Sequence, residues 1–318
     1  MPCSLHADLH VKKQRTMAKQ ENLVPSKFQA WIQASRPKTL TAAGTPVVVG
    51  TAIALANNSF KPLPALAALY CAIAIQIGTN IFNDVMDFER GTDTYERMGP
   101  LRVTQAGWLP PEQVRRGAII VFASAAVVGL YLIVVGGWPV LLLGAASILA
   151  GLAYTAGPSP LAYNGFGDLF VMLFFGFTAV GGTVYVQVNS LPPSTWFAAG
   201  AVGSTITALL GVNNIRDIET DRRAGRKTIP VMIGRDGAIV EYGILLAAAF
   251  LLPAVAVSIG LAPTGVMFCW LAIPMAVIVF RKLRTTEGKA LNKVLAETAR
   301  FVLVHGLLLA AGFATALF

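Results

Sequence analysis

Residues 64–93 read PALAALYCAIAIQIGTNIFNDVMDFERGTD. The stretch 64–82 holds no Asp, Glu, Lys or Arg and is about long enough to cross the hydrocarbon of a bilayer as a helix. Charge then arrives all at once, with Asp84, Asp87, Glu89, Arg90 and Asp93. A membrane span ending in an acidic cluster is the pattern that organises the rest of the chain. Apolar stretches recur near 40–56, 117–135, 139–155, 168–188, 195–212, 239–259, 263–280 and 298–317. The expected fold is therefore an all-α polytopic membrane protein of about nine transmembrane helices, since helices satisfy their own backbone groups in lipid.

Composition points the same way. Of 318 residues, 55% are hydrophobic and 13% charged, too little polar surface for a soluble globule of this size. Cys3, Cys71 and Cys269 are scattered and form neither a disulfide framework nor a metal-ligand spacing. A formal charge of +9 raises the question of nucleic acid, but the distribution of Lys and Arg answers it without one. Seven of the 25 precede the first span, five lie between 83 and 116, six between 213 and 238, and five between 281 and 297. Arg300 enters the last span and Lys61 alone falls on the opposite side. Basic loops collect on the cytoplasmic face, so the N-terminus and every second loop are expected inside, with the C-terminus outside and no nucleic-acid partner.

Residues 1–35 are expected to form a polar, basic cytoplasmic segment without a cleaved signal peptide, with Met17 as a second candidate start and an organellar transit sequence as the alternative for the Lys13–Arg15 patch. Within it, Phe28–Ala34 (FQAWIQA) has the pattern of an interfacial amphipathic helix, with Trp31 at the membrane surface. Residues 36–318 are expected to be a single transmembrane domain.

A second acidic cluster ends the sixth span: Gly211-Val-Asn213-Asn214-Ile-Arg216-Asp217-Ile-Glu219-Thr-Asp221. Asn213, Asp217 and Asp221 follow one another at i,i+4, as one helical stripe. Asn80, Asp84 and Asp87 form a similar stripe in the first cluster. The pattern Gly-x-Asn-x-x-x-Asp occurs in both, 133 residues apart, which reads as two related halves. Half of the 16 Asp and Glu lie in these two segments. Solvated loop charge is the bland reading. The concentration of acids against the negative end of a helix dipole favours a site for a hard cation instead. Mg²⁺ binds through a few carboxylates while phosphate and water complete its shell, so two facing clusters suit a metal-bridged diphosphate. Asp84, Asp87, Asp217 and Asp221 are the candidate metal ligands. Arg90, Arg97 and Arg102 follow the first cluster, and Arg222, Arg223, Arg226 and Lys227 the second, where they can grip phosphate oxygens.

The segment Asn83-Asp84-x-x-Asp87-x-x-x-Gly91-x-Asp93-x-x-x-Arg97-x-Gly99-Pro100-x-Arg102, with Gln105-x-Gly107 and the second motif from Asn213 to Asp221, resembles the UbiA superfamily of membrane prenyltransferases. The resemblance runs from Arg36-Pro37-Lys38-Thr39 to the last span. Gly91, where other branches place a third Asp, and the acid at Asp93 favour the branch acting on 1,4-dihydroxy-2-naphthoate in bacterial menaquinone synthesis. Tyr154-Thr-Ala-Gly157-Pro158-x-Pro160-Leu-Ala-Tyr163-x-Gly165-x-Gly167-Asp168 and Lys227-Thr228 fit it too. The resemblance implies a bundle around a central cavity open sideways to membrane lipid, in a bacterial inner membrane with the active site facing the cytoplasm. It implies Mg²⁺-dependent transfer of a polyprenyl group from polyprenyl diphosphate to the aromatic acid, with loss of CO₂, giving demethylmenaquinone.

In that scheme Asp93 joins the four metal-binding Asp residues as catalytic. Asn80 and Asn213 orient phosphate or metal-bound water. Asn83 and Arg216 belong to the substrate-binding set, and Arg97, Arg102 and Lys227 bind diphosphate or the acceptor carboxylate. Tyr154 and Tyr163 present ring faces to the allylic cation or anchor the membrane interface. Asp168, alone in its loop, acts on the acceptor or pairs with a loop Arg; helix N-capping is the alternative. The competing functions are prenylation of 4-hydroxybenzoate, homogentisate or a tetrapyrrole acid, and, from another class, ion or metabolite transport.

Overall fold

Ser26 caps the first described helix. Its hydroxyl accepts the Gln29 amide while the Gln29 side chain accepts the Ser26 amide, a capping box that satisfies two otherwise orphaned donors. The computed structural model describes residues 25–91, 98–157 and 160–317. Helix α1 (Lys27–Ser35) is followed by α2 (Leu40–Ala56), α3 (Pro62–Glu89), α4 (Pro111–Gly136), α5 (Trp138–Ala153) and α6 (Gly167–Val188). After these come α7 (Ser194–Arg216), the short α8 (Ile218–Arg223), α9 (Ile229–Ser258), α10 (Thr264–Thr285) and α11 (Leu291–Ala314). Proline stands in the first turn of α3, α4, α5 and α9, where its missing N–H costs no hydrogen bond.

Each of the nine expected spans coincides with one helix among the described residues. Eight helical stretches among the described residues are long and apolar enough to cross a membrane, the first of them Lys27–Ala56, which runs through α1 and the 17-residue α2. The ninth, α5, has 16 residues, or about 24 Å at 1.5 Å per residue, short of the roughly 30 Å of a bilayer core. Two helices extend further than hydropathy suggests. Helix α3 continues through the acidic cluster to Glu89, and α9 starts at Ile229 and breaks at Gly234 before its membrane portion. Helix α1 packs Ala30 and Ala34 onto a cluster with Ile81, Val85, Val103 and Val114, and Trp31 joins that packing. Its outward side chains are Phe28 and Ile32, so these, rather than Trp31, form the apolar face that sequence reading assigned to the membrane surface.

Helix α7 is the centre of the bundle. Of its most apolar stretch, 78% is buried, and its inner residues are mostly Ala, Gly, Ser, Thr and Val. Small side chains let backbones approach in lipid, where no hydrophobic force pushes helices together. A Cβ on Gly176 of α6 would sit 2.8 Å from the Ala199 carbonyl oxygen of α7, so that contact requires glycine. Two of the buried hydroxyls of α7 are satisfied within the helix: Ser204 donates to the Gly200 carbonyl at 2.8 Å and Thr205 to that of Val202 at 2.8 Å, the local bonding these residues use in apolar surroundings. In α6 the segment Met172–Thr178 widens into a π-helix, and Phe174, Phe175 and Thr178 from it line the main cavity. The ends of α3, α5 and α7 and the starts of α6 and α9 meet at one end of the bundle, and the polar residues gather there.

Candidate active site

The last three turns of α3 carry four buried polar side chains, Asn80, Asn83, Asp84 and Asp87, that serve two different ends. Asn80 donates to the Ser35 carbonyl and to Thr39, both at 3.0 Å, tying α3 to the start of α2. Asp84 accepts the backbone amides of Val103 at 3.1 Å and Thr104 at 3.0 Å, anchoring the segment that follows residue 98. Neither lines the polar pocket described below. Asn83 and Asp87 do. Asn83 accepts the Thr155 hydroxyl, and Asp87 accepts Arg102 at 2.6 Å and Arg226 at 2.9 Å. Of the stripe expected to present Asn80 and Asp84 to a ligand, Asn80 borders the apolar cavity described below and Asp84 holds backbone amides, while the stripe facing the polar pocket lies alongside it. Helix α3 then stops, with Gly91 at φ +68°, a left-handed conformation that a β-carbon disfavours. An Asp at that place would be strained.

At the end of α7 the acids stand differently. Arg216 lies flat along Asp217, with Nε to Oδ1 at 2.8 Å and Nη2 to Oδ2 at 2.5 Å. The same guanidinium donates to Asn213 at 2.7 Å and to Asn292 of α11 at 2.8 Å, and Asn292 in turn donates to the Met98 carbonyl at 2.9 Å. Arg216 is thus a buried bracket that orients Asn213 and Asp217 and joins them to α11. Asn213, Asp217 and Asp221 all line the pocket.

Between these helix ends lies a polar pocket of about 110 Å³ whose walls also include Arg36, Arg102, Arg226, Tyr154 and Asp168. It adjoins a second, apolar cavity of about 660 Å³ between α2, α3, α4, α5, α6 and α7. Arg36, Asn83, Tyr154 and Asn213 line both, which makes them the junction. The apolar cavity includes among its walls Leu130 and Leu141, exposed at 62% and 50% on the outer surface of the bundle, so it reaches the lipid-facing side there.

Arg226, one of four basic residues after the second cluster, binds the two motifs to each other. Its Nη2 meets Asp87 at 2.9 Å and its Nη1 meets Asp221 at 3.4 Å. It also donates to the Tyr163 hydroxyl at 3.0 Å and stacks on the Tyr163 ring at 4.4 Å. Burial opposes its charge, but Asp87, Tyr163 and Asp221 outweigh burial and hold its pKa above the ordinary value. Arg90 covers the same ring at 5.5 Å. Tyr163 therefore presents its ring to two guanidiniums, and of the two tyrosines Tyr154 is the one at the junction.

Other expected site residues are placed as follows. Lys227 is exposed and lines neither cavity, though its amide donates to the Tyr163 carbonyl at 2.9 Å. Asp168 lines the polar pocket, while the N-cap of its helix is Phe166, with no capping side chain. Its carboxylate is hydrogen-bonded by its own backbone amide and makes no ion pair with the described residues. Asp93 and Arg97 lie outside the described residues. Sequence reading passed over Arg36, Thr155 and Asn292. Of these, Arg36 carried a signal in its position before Pro37, which disfavours the α conformation; it adopts φ 51°, ψ 67°.

Among the described residues no three acidic, His or Cys side chains converge tightly enough to cage an ion by themselves. Mg²⁺ does not require such a cage, since one or two carboxylates suffice when phosphate and water complete the octahedron. The donors here are hard oxygens from Asp87, Asp217, Asp221, Asn83 and Asn213, and one cationic group already spans Asp87 and Asp221. That donor set fits magnesium accompanied by a diphosphate.

Comparison with known proteins places this geometry in a family. The family model described as "UbiA prenyltransferase family" matches residues 43–314. The 1,4-dihydroxy-2-naphthoate octaprenyltransferase of Escherichia coli is 35% identical over 297 residues, covering 90% of this chain and 96% of that one. The enzyme of that name from Mycobacterium tuberculosis is 35% identical, covering 90% and 97%. Among solved structures, a UbiA homolog from Archaeoglobus fulgidus bound to GPP and Mg²⁺ superposes with a TM-score of 0.68 at 17% identity, covering 91% of this chain and all of that one. A helical membrane bundle with two Asn/Asp-bearing helix ends on one pocket, matched along nearly its whole length, belongs to the UbiA prenyltransferase family.

Proposed function

We propose that this protein transfers a polyprenyl group from polyprenyl diphosphate to 1,4-dihydroxy-2-naphthoate in a Mg²⁺-dependent reaction that releases diphosphate and CO₂. The observation that carries the reading is the junction itself: a polar pocket bearing carboxylates from both motifs opens, at Asn83, Asn213, Tyr154 and Arg36, into an apolar cavity of about 660 Å³. An amphiphile with a diphosphate head and an isoprenoid tail fits that division, with its reactive C1 at the junction. The name and near-complete coverage of the relatives supply the acceptor.

Magnesium, when bound, neutralises the charge that develops on the leaving diphosphate. Asp87, Asp217 and Asp221 would hold it, and Arg216 fixes the orientation of Asp217 before it arrives, a form of electrostatic preorganisation. Arg102 and Arg226 are the cations near enough to follow the phosphate oxygens. Asn83 and Asn213 flank C1 from the two helices, and Tyr154 stands beside the developing allylic cation. The C1–oxygen bond breaks, the ring carbon bearing the carboxylate forms the new bond to C1, and the C–CO₂ bond then breaks, its electron pair restoring the aromatic ring. Electron balance makes the immediate product the hydroquinone form of demethylmenaquinone, with no oxidant taking part.

The loop charges support an orientation with the N-terminus and the polar pocket on the cytoplasmic face of a bacterial inner membrane. Residues 36–318 then act as one transmembrane domain of two related halves, for which the paired Asn-x-x-x-Asp on α3 and α7 is the support. The acceptor is tested with purified protein in lipid nanodiscs, Mg²⁺, a labelled prenyl diphosphate and each aromatic acid offered separately. The expected result is a lipid-soluble product, decarboxylated by mass, from the naphthoate alone. A product from 4-hydroxybenzoate that keeps its carboxylate, with none from the naphthoate, would overturn the assignment.

A further inference from the structure

Arg226 occupies the place where the two motifs are joined. Asp87 of α3 and Asp221 of α8 belong to different halves of the site, and the Arg226 guanidinium contacts both. Asp87 is 1% exposed and Asp221 6%, so each carboxylate would be costly to bury without a cation. Arg102 supplies one for Asp87 at 2.6 Å, and the cation that reaches both acids is placed by backbone geometry. The Arg226 amide donates to the Asp221 carbonyl at 2.9 Å, turning the chain back over the acid, and the Tyr163 ring supports the guanidinium from the other side. Tyr163 is itself carried by a loop tied down at two points, by the Lys227 amide to its own carbonyl and by Arg90 to the Gly157 carbonyl at 2.6 Å.

Resting on the metal–diphosphate reading above, we propose that Arg226 is a positioning residue that serves as the built-in counter-cation of the ligand-free site: it holds Asp87 and Asp221 together, yields them to the divalent cation, and then pairs with the diphosphate. The physical requirement is charge balance. A guanidinium and a metal ion compete for the same two carboxylates, whereas a guanidinium and a diphosphate attract. Arg226 therefore opposes metal binding alone and favours diphosphate binding once metal is present. Tyr163, which holds the guanidinium through its hydroxyl and its ring, sets how easily it moves.

These opposite signs make the test. Mn²⁺ binding is measured by electron paramagnetic resonance on the full-length protein in nanodiscs, and inorganic pyrophosphate binding by calorimetry at saturating Mn²⁺, for the wild type, Arg226→Gln, Tyr163→Phe and Asp87→Asn. Arg226→Gln is expected to bind Mn²⁺ about tenfold more tightly, the size of effect one close charge exerts on a neighbouring carboxylate, and pyrophosphate about tenfold more weakly. Tyr163→Phe should show the same two signs at smaller size, and it serves alone if Arg226→Gln does not fold. Unchanged or weaker Mn²⁺ binding in these variants, beside wild-type binding that Asp87→Asn abolishes, would overturn the role of Arg226 and leave the metal reading intact. Mn²⁺ binding that is absent in the wild type, with or without pyrophosphate, would overturn both.

Discussion

The ends of α3 and α7 look alike in sequence and are built differently. At the end of α7 and on α8, Asn213, Asp217 and Asp221 face the pocket, the first two bracketed by the neighbouring Arg216. On α3, the residues that match them in the Gly-x-Asn-x-x-x-Asp pattern, Asn80 and Asp84, lie off the polar pocket and bond to other segments, Asn80 beside the apolar cavity. The pocket-facing equivalents are Asn83 and Asp87, which have the same i,i+4 spacing as Asn213 and Asp217 but are offset by 130 residues rather than 133. One motif thus carries its support on an adjacent Arg, and the other carries it on a parallel stripe of the same helix. A carboxylate near a site can serve that site in two ways, and only its partners tell which.

Exchanging the acids is the strongest way to break this contrast. Asp87→Asn and Asp217→Asn are each expected to lower prenyl transfer about a thousandfold, the loss typical when a preorganised electrostatic contact to the reacting groups is removed, with the protein still folded by circular dichroism. Asp84→Asn should instead act on stability. One of its two amide acceptors becomes a donor facing the Val103 or Thr104 N–H, at a cost of about 3 kcal/mol, read as a lowered unfolding midpoint, while the folded fraction still binds Mn²⁺. If Asp84→Asn abolished metal binding in folded protein, the division between the two stripes would fail.

Smaller changes sharpen the picture. Arg216→Ala removes the bracket from Asp217 and Asn213 and leaves Asn292 without its guanidinium, so kcat should fall about thirtyfold as near-attack geometry is lost, with a smaller effect on KM. Asn83→Ser should lower kcat roughly tenfold, the worth of one hydrogen bond to a charged group. Asn80→Ser should leave kcat within about twofold, since its neutral hydrogen bonds to Ser35 and Thr39 each contribute on the order of 1 kcal/mol to folding and neither lies in the polar pocket. Steady-state rates per folded molecule distinguish these outcomes.

Much of the architecture was legible because hydropathy and loop charge are properties of composition along the chain. All nine apolar helices, and the meeting of both acidic clusters at one end, follow from residues such as the uncharged run 64–82 and the Lys and Arg that flank it. Which face of α3 meets the pocket was not legible. Stripes through Asn80 and Asp84 or through Asn83 and Asp87 obey the same helical spacing, and the choice depends on Val103 and Thr104, some 20 residues away in sequence. The separate parts of Tyr154 and Tyr163 were hidden for a similar reason: both flank the same loop, and only the packing of Arg90 and Arg226 on one ring assigns the other to the junction. Arg226 stood in a run of basic residues that the clustering of Lys and Arg in alternate loops already explained, so nothing in its neighbourhood singled it out.

The account turns on where the diphosphate sits, and a structure solved with Mg²⁺ and a non-cleavable thiolo analogue of prenyl diphosphate shows it directly. The expected map has the diphosphate between Asp87 and Asp217, metal on those carboxylates and Asp221, the isoprenoid tail along the apolar cavity past Asn83 and Tyr154, and Asp84 still on the Val103 and Thr104 amides. Metal coordinated by Asp84, or a diphosphate bound away from the Asp87–Asp217 pocket, would contradict it.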